Sequence, residues 1–190
     1  KKAPGKPVQN WAVSPGRINA ALTAQYPSMI EAGTRIFRRQ FWIGQDDLKF
    51  EETINLIDKS FFDVLDLPMA AGNRQQAFGD YRSLIISEKA ALKYFGTKSP
   101  VGETIELENG EVLAKIVAVM KDLPSNSHFD IDFLIQLDEA SFDEQPWIFQ
   151  WWMSSNVYTY VKLHDADQKA GLEAALPAFL DKHVPASPGP

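Results

Sequence analysis

Apolar residues arrive along this chain in short bursts, and that limits its possible folds more than any other feature. Ile116–Met120 is the longest run, and even the aromatic Trp151–Met153 breaks off at once. Nothing approaches the ~20 consecutive apolar residues a membrane-crossing helix requires. Polar and turn-forming residues bound each burst, so the chain must build a core from short strands and helices packed on one another. With 45% of its 190 residues hydrophobic, it has the material for a sizeable core. Twelve Phe, five Trp and five Tyr set it apart from disordered sequences, which cannot bury enough apolar surface to offset the entropy of ordering.

The patterning predicts an order of elements. Ser14 and Pro15 read as an N-cap and first helical position, opening a helix over about 15–25 that Pro27 stops. Two strands follow, Ile30–Ile43 and a partner reaching Ile57, joined by the turn Gly44-Gln45-Asp46-Asp47. Phe37, Phe41, Ile43, Phe50 and Ile54 are the expected inward positions. A short helix capped by Ser60 ends in Pro68–Gly72, and Ser83–Ile86 is a short buried strand. Ser87 caps a helix over Glu88–Phe95, with Gly96 just past its end, where a positive φ is needed. Val101–Leu107 and Val112–Met120 flank Asn109-Gly110, the strongest short hairpin signal in the chain. Phe129–Leu137 and Asn156–Leu163 alternate as strands, and Asp165 caps a final helix to about Leu180, bent near Pro177.

This mixture is α+β, not the regular alternation of a doubly wound sheet. It divides into an extended lead-in over 1–14, a core domain over 15–184 and a loose tail over 185–190. Within the core, 15–58 and about 154–184 form one subdomain, and about 60–140 is inserted as a second.

Several function classes are disfavoured. A net charge of −6 offers phosphates no basic face, which argues against nucleic-acid partners and against a bound nucleotide. The chain has no cysteine, which removes disulfides, thiolate metal sites and cysteine nucleophiles. No P-loop, G-x-G-x-x-G, G-x-S-x-G or H-E-x-x-H motif occurs. Ser127-His128-Phe129-Asp130 holds the letters of a catalytic triad, but neighbours on an extended segment point to opposite faces. Asp130 and Asp132 share a face without the six or so oxygens calcium needs. No catalytic, cofactor or metal residue is expected, and no signal peptide opens the chain, so any membrane tether belongs to segments outside this sequence.

The segment from Phe142 to Met153 stands out. Trp147, Phe149, Trp151 and Trp152 crowd more large apolar side chains together than one strand face can bury. Two readings stay open: a core plug folded over the sheet, or an exposed contact surface for a partner.

Four blocks carry a resemblance. They are Ser60–Pro68 with Ala71-Gly72, Ser83–Ala91 with Lys93–Gly96, Ser99–Ile105, and Ile116–His128. Together, and in this order, they resemble the MacB-like periplasmic core domain of ABC transporter permeases of the MacB/FtsX type. Ala118 departs from the pattern, standing where the family usually has glycine. The resemblance implies a porter-like α/β subdomain with an inserted, mainly β subdomain, outside an inner or cell membrane. It implies that a cytoplasmic ATPase drives the permease helices, and that this domain transmits motion or engages cargo, a periplasmic adaptor or a second permease copy. It implies structural duties for Ser87, Gly96, Gly102, Asp122, Pro124, Ser127 and His128, and no cofactor. The competing expectation is a stand-alone periplasmic domain binding a solute or lipoprotein.

Overall fold

The computed structural model describes residues 12–45 and 48–184. In chain order they form β1 (Ser14–Pro15), α1 (Ile18–Gln25), β2 (Ile30–Gln45), β3 (Leu48–Ile57), α2 (Phe61–Val64), β4 (Met69–Gly72) and β5 (Ser83–Ser87). There follow α3 (Glu88–Phe95), β6 (Thr104–Leu107), β7 (Val112–Met120), β8 (Phe133–Gln136), α4 (Trp147–Gln150), β9 (Ser155–Leu163) and α5 (Gln168–His183). The fold is α+β, as the patterning predicts.

Six strands close a ring. β2 pairs antiparallel with β3, β3 parallel with β8, and β8 antiparallel with β5. β5 then runs parallel to β7, β7 pairs antiparallel with β6, and β6 returns to β2 at Ile43 and Gly44. Closure satisfies backbone donors and acceptors that an open sheet would leave at its edges. The interior holds Ile43, Ile54, Leu84, Ile86, Ile105, Ile116 and Phe133. Because side chains alternate along a strand, Ile85 points the other way, into a second cluster with Ile57, Phe61, Ala118 and Leu134. Both faces of β5 are thus covered, and all of Ser83–Ser87 is buried. One end of the ring is stoppered by α3, whose Tyr94 packs edge-on against Phe133 at 6.0 Å.

β2 is shared between two surroundings. Its first residues, Ile30–Ile36, pair with β9, and its later ones with β3 and β6. Over the β9 side, α1 and α5 enclose a third cluster of Leu22, Ile30, Leu172 and Phe179.

Several expectations are corrected. Helix α1 begins at Ile18, because Ser14 and Pro15 are drawn into pairing with β9, where Ser14 Oγ meets Thr159 Oγ1 at 2.8 Å. Ser60 precedes α2 without capping it; its hydroxyl donates to Gly33 O at 2.7 Å. Met69–Gly72 is not a mere terminator but strand β4, laid along β7. The second hairpin forms with Leu107 opposite Val112, yet its turn is not the two-residue Asn-Gly type. Four residues span it, with Glu108 at φ 51° and Gly110 at φ 96°. β6 starts at Thr104, later than Val101, and β8 covers only Phe133–Gln136 of the expected Phe129–Leu137. Asp165 Oδ1 accepts from Asp167 N in a turn before α5, which starts at Gln168 and passes Pro177 to reach His183. Ile43 and Ile54 are buried, but Phe50 is exposed beside Tyr94. Asp46, Asp47, residues 1–11 of the lead-in and the 185–190 tail lie outside the described residues.

Candidate functional site

Two of the sequence blocks, Ser83–Gly96 and Ile116–His128, meet at the first turn of α3. A helix leaves its first four N–H groups without intrahelical partners. Here Ser87 Oγ accepts from Ala90 N at 3.0 Å, and Asp122 Oδ1 accepts from Lys89 N at 2.9 Å. Ser87 Oγ in turn donates to Asp132 Oδ1 at 2.6 Å, and Lys89 Nζ reaches Asp132 Oδ2 at 3.0 Å. The hydrogen bond and charge of Asp132 raise the Lys89 pKa. Carboxylates also suit the positive end of the helix dipole. Asp122, at the exit of β7, is therefore tied to the helix that follows β5, its parallel neighbour.

The turn after Asp122 closes with Ser127 N donating to Pro124 O at 2.8 Å. Ser127 Oγ accepts from Phe129 N, while His128 stacks on Phe129 with ring centroids 3.9 Å apart and lies 3.3 Å from Tyr160 Oη. Ser127 and His128 thus serve separate partners. Gly96 (φ 58°) and Gly102 (φ 95°) meet nothing where a side chain would start, so backbone conformation rather than space calls for glycine there. Ser87, Asp122, Pro124 and Ser127 border one cavity beside the cap.

The aromatic segment behaves differently. A short helix places neighbours on different faces, so Trp147 and Trp151 point outward while Ile148 and Phe149 point in. Phe149, expected among the contact residues, is only 3% exposed and belongs to the core. Its ring packs edge-on against Phe37 and Phe142, each at 5.3 Å. Trp151 is 59% exposed. Trp152 is half-buried, with its ring 5.8 Å from the Arg17 guanidinium and 5.3 Å from the His183 ring.

Beneath this segment lies a groove of about 660 Å³, lined by Arg17, Asn19, Phe149, Trp151, Trp152 and Arg35 among others. Arg35 is its anchor. Nε donates to Asp58 Oδ2 at 3.0 Å and Nη2 to Asp58 Oδ1 at 2.8 Å, a two-pronged pairing. Nη2 also meets Glu139 Oε1 at 2.6 Å, Nη1 donates to Gly16 O at 3.0 Å, and the guanidinium sits 5.6 Å from the Phe149 ring centre. Burial opposes the charge, but the hydrogen bonds and fields of Asp58 and Glu139 outweigh it and raise the Arg35 pKa. One side chain thereby joins β2, the end of β3, the turn before α4 and the approach to α1. Sequence reading missed this junction. Its only local signal is an arginine between Thr34 and Ile36 on a predicted strand, and nothing in the sequence says that residues 58 and 139 answer it.

Among the described residues, no group of three or more His, Asp or Glu side chains is placed to hold a metal ion. Nor is any helix there long and apolar enough to cross a membrane.

Comparison with known proteins places this geometry. The family described as MacB-like periplasmic core domain matches residues 4–179. Among solved structures, a permease-protein domain from Porphyromonas gingivalis superposes with a TM-score of 0.74 at 22% identity, covering 93% of this chain and 74% of that one. The extracellular domain of the ABC-type transporter YknZ from Gram-positive bacteria gives a TM-score of 0.62 at 18% identity, with 92% and 86% covered. The periplasmic region of MacB from Actinobacillus actinomycetemcomitans gives 0.62 at 16%, with 94% and 77% covered. At such identities the likeness speaks for the fold. No curated protein matches the chain significantly.

Proposed function

The chain belongs to the family of MacB-like periplasmic core domains, which makes it an extracytoplasmic domain of the ABC-type permease class; on that premise we propose that it transmits ATP-driven motion of the membrane helices. In this reading the domain is not itself catalytic. Its partners are the membrane-spanning part of the permease and its cytoplasmic ATPase, and the exposed Trp147 and Trp151 contact cargo, an adaptor or a second copy.

One observation carries the transmission reading. Arg17, ahead of α1, and His183, in the last turn of α5, both lie against Trp152. Lys182 and His183 also reach Gln25 Oε1 at 3.1 and 2.9 Å, tying the end of α5 to the end of α1. The two stretches through which flanking chain would act on the domain therefore share one joint. A displacement there acts on α1, α5 and the β9 side of β2, and Arg35 links the same region to the ring. We keep the division into 15–58 with 154–184 and an inserted 60–140 as part of this proposal, with β2 as the common spine.

The test uses the full-length permease with its ATPase in a lipid bilayer. Spin labels on Ala24→Cys in α1 and Leu113→Cys in β7, both exposed positions, should report different separations in nucleotide-free and ATP-bound states. Identical distance distributions in every nucleotide state of an actively transporting permease would overturn transmission through this domain.

A further inference from the structure

Among the described residues, a helix stoppers one end of the ring only. The end opposite α3 is formed by the last residues of β3, β6 and β8 and the first of β7, with Tyr81 and Arg82 leading into β5. It opens into a cavity of about 580 Å³, within the ~300–1,000 Å³ span of small-ligand sites. The apolar part of its wall is Phe41, Leu56, Leu107, Val112, Ile135 and Phe142, with Gln136 and Ser141 among them. Ile54 and Ile86, opposite Phe133 deeper in the ring, are 0% exposed, while Leu56, Phe142 and Ile135 nearer the mouth keep 6%, 8% and 9%. The outer layer of the core thus turns apolar edges toward the opening.

The charges around this mouth are unusual for the end of a core. Arg39 occupies the same face of β2 as Phe37, Phe41 and Ile43, which pack into the ring. Its guanidinium stands 5.3 Å from the Phe41 ring centre and 5.8 Å from that of Phe142. Among the described residues it forms no ion pair, and neither do Arg82, Glu108 or Glu111 on the same rim. Asp138, the remaining rim carboxylate, is occupied: it accepts from Ala140 N and Ser141 Oγ at 3.1 and 2.9 Å. Those bonds fix the turn that carries Phe142 to the mouth. An apolar cup with unpaired charge of both signs at its lip matches a ligand with one apolar tail and a head bearing both charges.

We propose that the open end of the ring binds a single-tailed zwitterionic amphiphile. The hydrocarbon tail fills the cup, a phosphate meets Arg39 and Arg82, and an amine faces Glu108 and Glu111. The site is independent of the transmission reading, since it lies away from the Trp152 joint.

Calorimetric titration of the chain tests this with three twelve-carbon probes below their micelle concentrations: a lysophosphatidylethanolamine, laurate and dodecyl maltoside. The lysophospholipid should bind saturably at one site. The neutral maltoside should bind about a hundredfold more weakly, as expected for losing two charge-assisted contacts, one at the arginines and one at the glutamates. Laurate, lacking the amine, should fall between them. Arg39→Ala should lower lysophospholipid affinity about tenfold and leave the maltoside unchanged, while Val112→Trp, narrowing the mouth, should weaken all three. If Val112→Trp does not fold, the exposed Arg39 position decides alone. Absence of saturable binding, equal affinity for the three heads, tightest binding of laurate, or indifference to Arg39→Ala would each overturn the proposal. So would loss of binding on Trp151→Ala, which would place the ligand in the other groove.

Discussion

Replacing Arg35 with methionine should cost the folded chain about 3 kcal/mol. Methionine keeps much of the apolar stem and removes the guanidinium. The side chains of Arg35 and Asp58 are only 15% and 17% exposed, so most of the Asp58 charge would lose its partner without regaining water. Removing one member of a buried pair generally costs about 3–5 kcal/mol. The low end applies because the backbone N–H of residue 35 donates to Asp58 Oδ2 at 2.8 Å, and that bond survives the substitution. Glu139 differs: at 47% exposure it is half in solvent, and its share should be about 0–1 kcal/mol. The losses should therefore rank Arg35→Met first, Asp58→Asn next and Glu139→Gln last. Urea unfolding at fixed pH measures them, with an unchanged m-value showing that stability alone has moved. For a chain of this size, 3 kcal/mol corresponds to roughly 6–12 °C in Tm. A loss below about 1 kcal/mol for Arg35→Met, or a Glu139→Gln loss matching that of Asp58→Asn, would refute the burial argument.

Three further outcomes are expected. Ser87→Ala should destabilise by about 1–2 kcal/mol, since it removes the cap on Ala90 N and a donor to Asp132; a neutral result by urea unfolding would mean that water replaces the cap. Tyr94 responds to alkali: burial, then its hydrogen bond to Glu52, hold its pKa well above the ordinary 10. Its neutral form is favoured in the folded state, so that stabilisation is complete below pH ~10 and declines as pH rises beyond it. Tyr94→Phe should flatten the fall in urea midpoint above pH 10, and parallel curves for the two proteins would contradict this. Trp151→Ala should leave stability within about 0.5 kcal/mol, whereas Phe149→Ala should cost about 3–5 kcal/mol; equal costs would show that Trp151 belongs to the core.

Much of the fold was legible because its signals are local. Ser87 three residues before Ala90, Gly96 after Phe95 and the unbroken apolar stretch of β5 each state their conformation within a few residues. The pairing of β2 with β3 and of β6 with β7 followed from turns between adjacent segments, which fix register over a short loop. Turn geometry was less legible: Asn109-Gly110 marks a reversal, but the pairing of Leu107 with Val112 made the loop two residues longer. Competing partners also shifted boundaries, as when β9 claimed Ser14 and Gly33 claimed the Ser60 hydroxyl.

The aromatic segment shows where local reading ends. Its composition said that some rings must find homes off a single strand face, and the structure divides them, Phe149 inward and Trp151 outward. That division depends on the helical phase of α4 and on Phe37 and Phe142 meeting Phe149 from distant parts of the chain. The sequence by itself determined which residues are apolar, where the chain turns and where helix α3 begins and ends, because these depend on neighbours a few positions away. Only the tertiary structure decided that β3 lies beside β8 and β5 beside β7, closing the ring, that Asp58 and Glu139 answer Arg35, and that Arg39 faces an open mouth. Hydrophobic periodicity records that a side chain must leave water; it carries no record of which distant surface receives it.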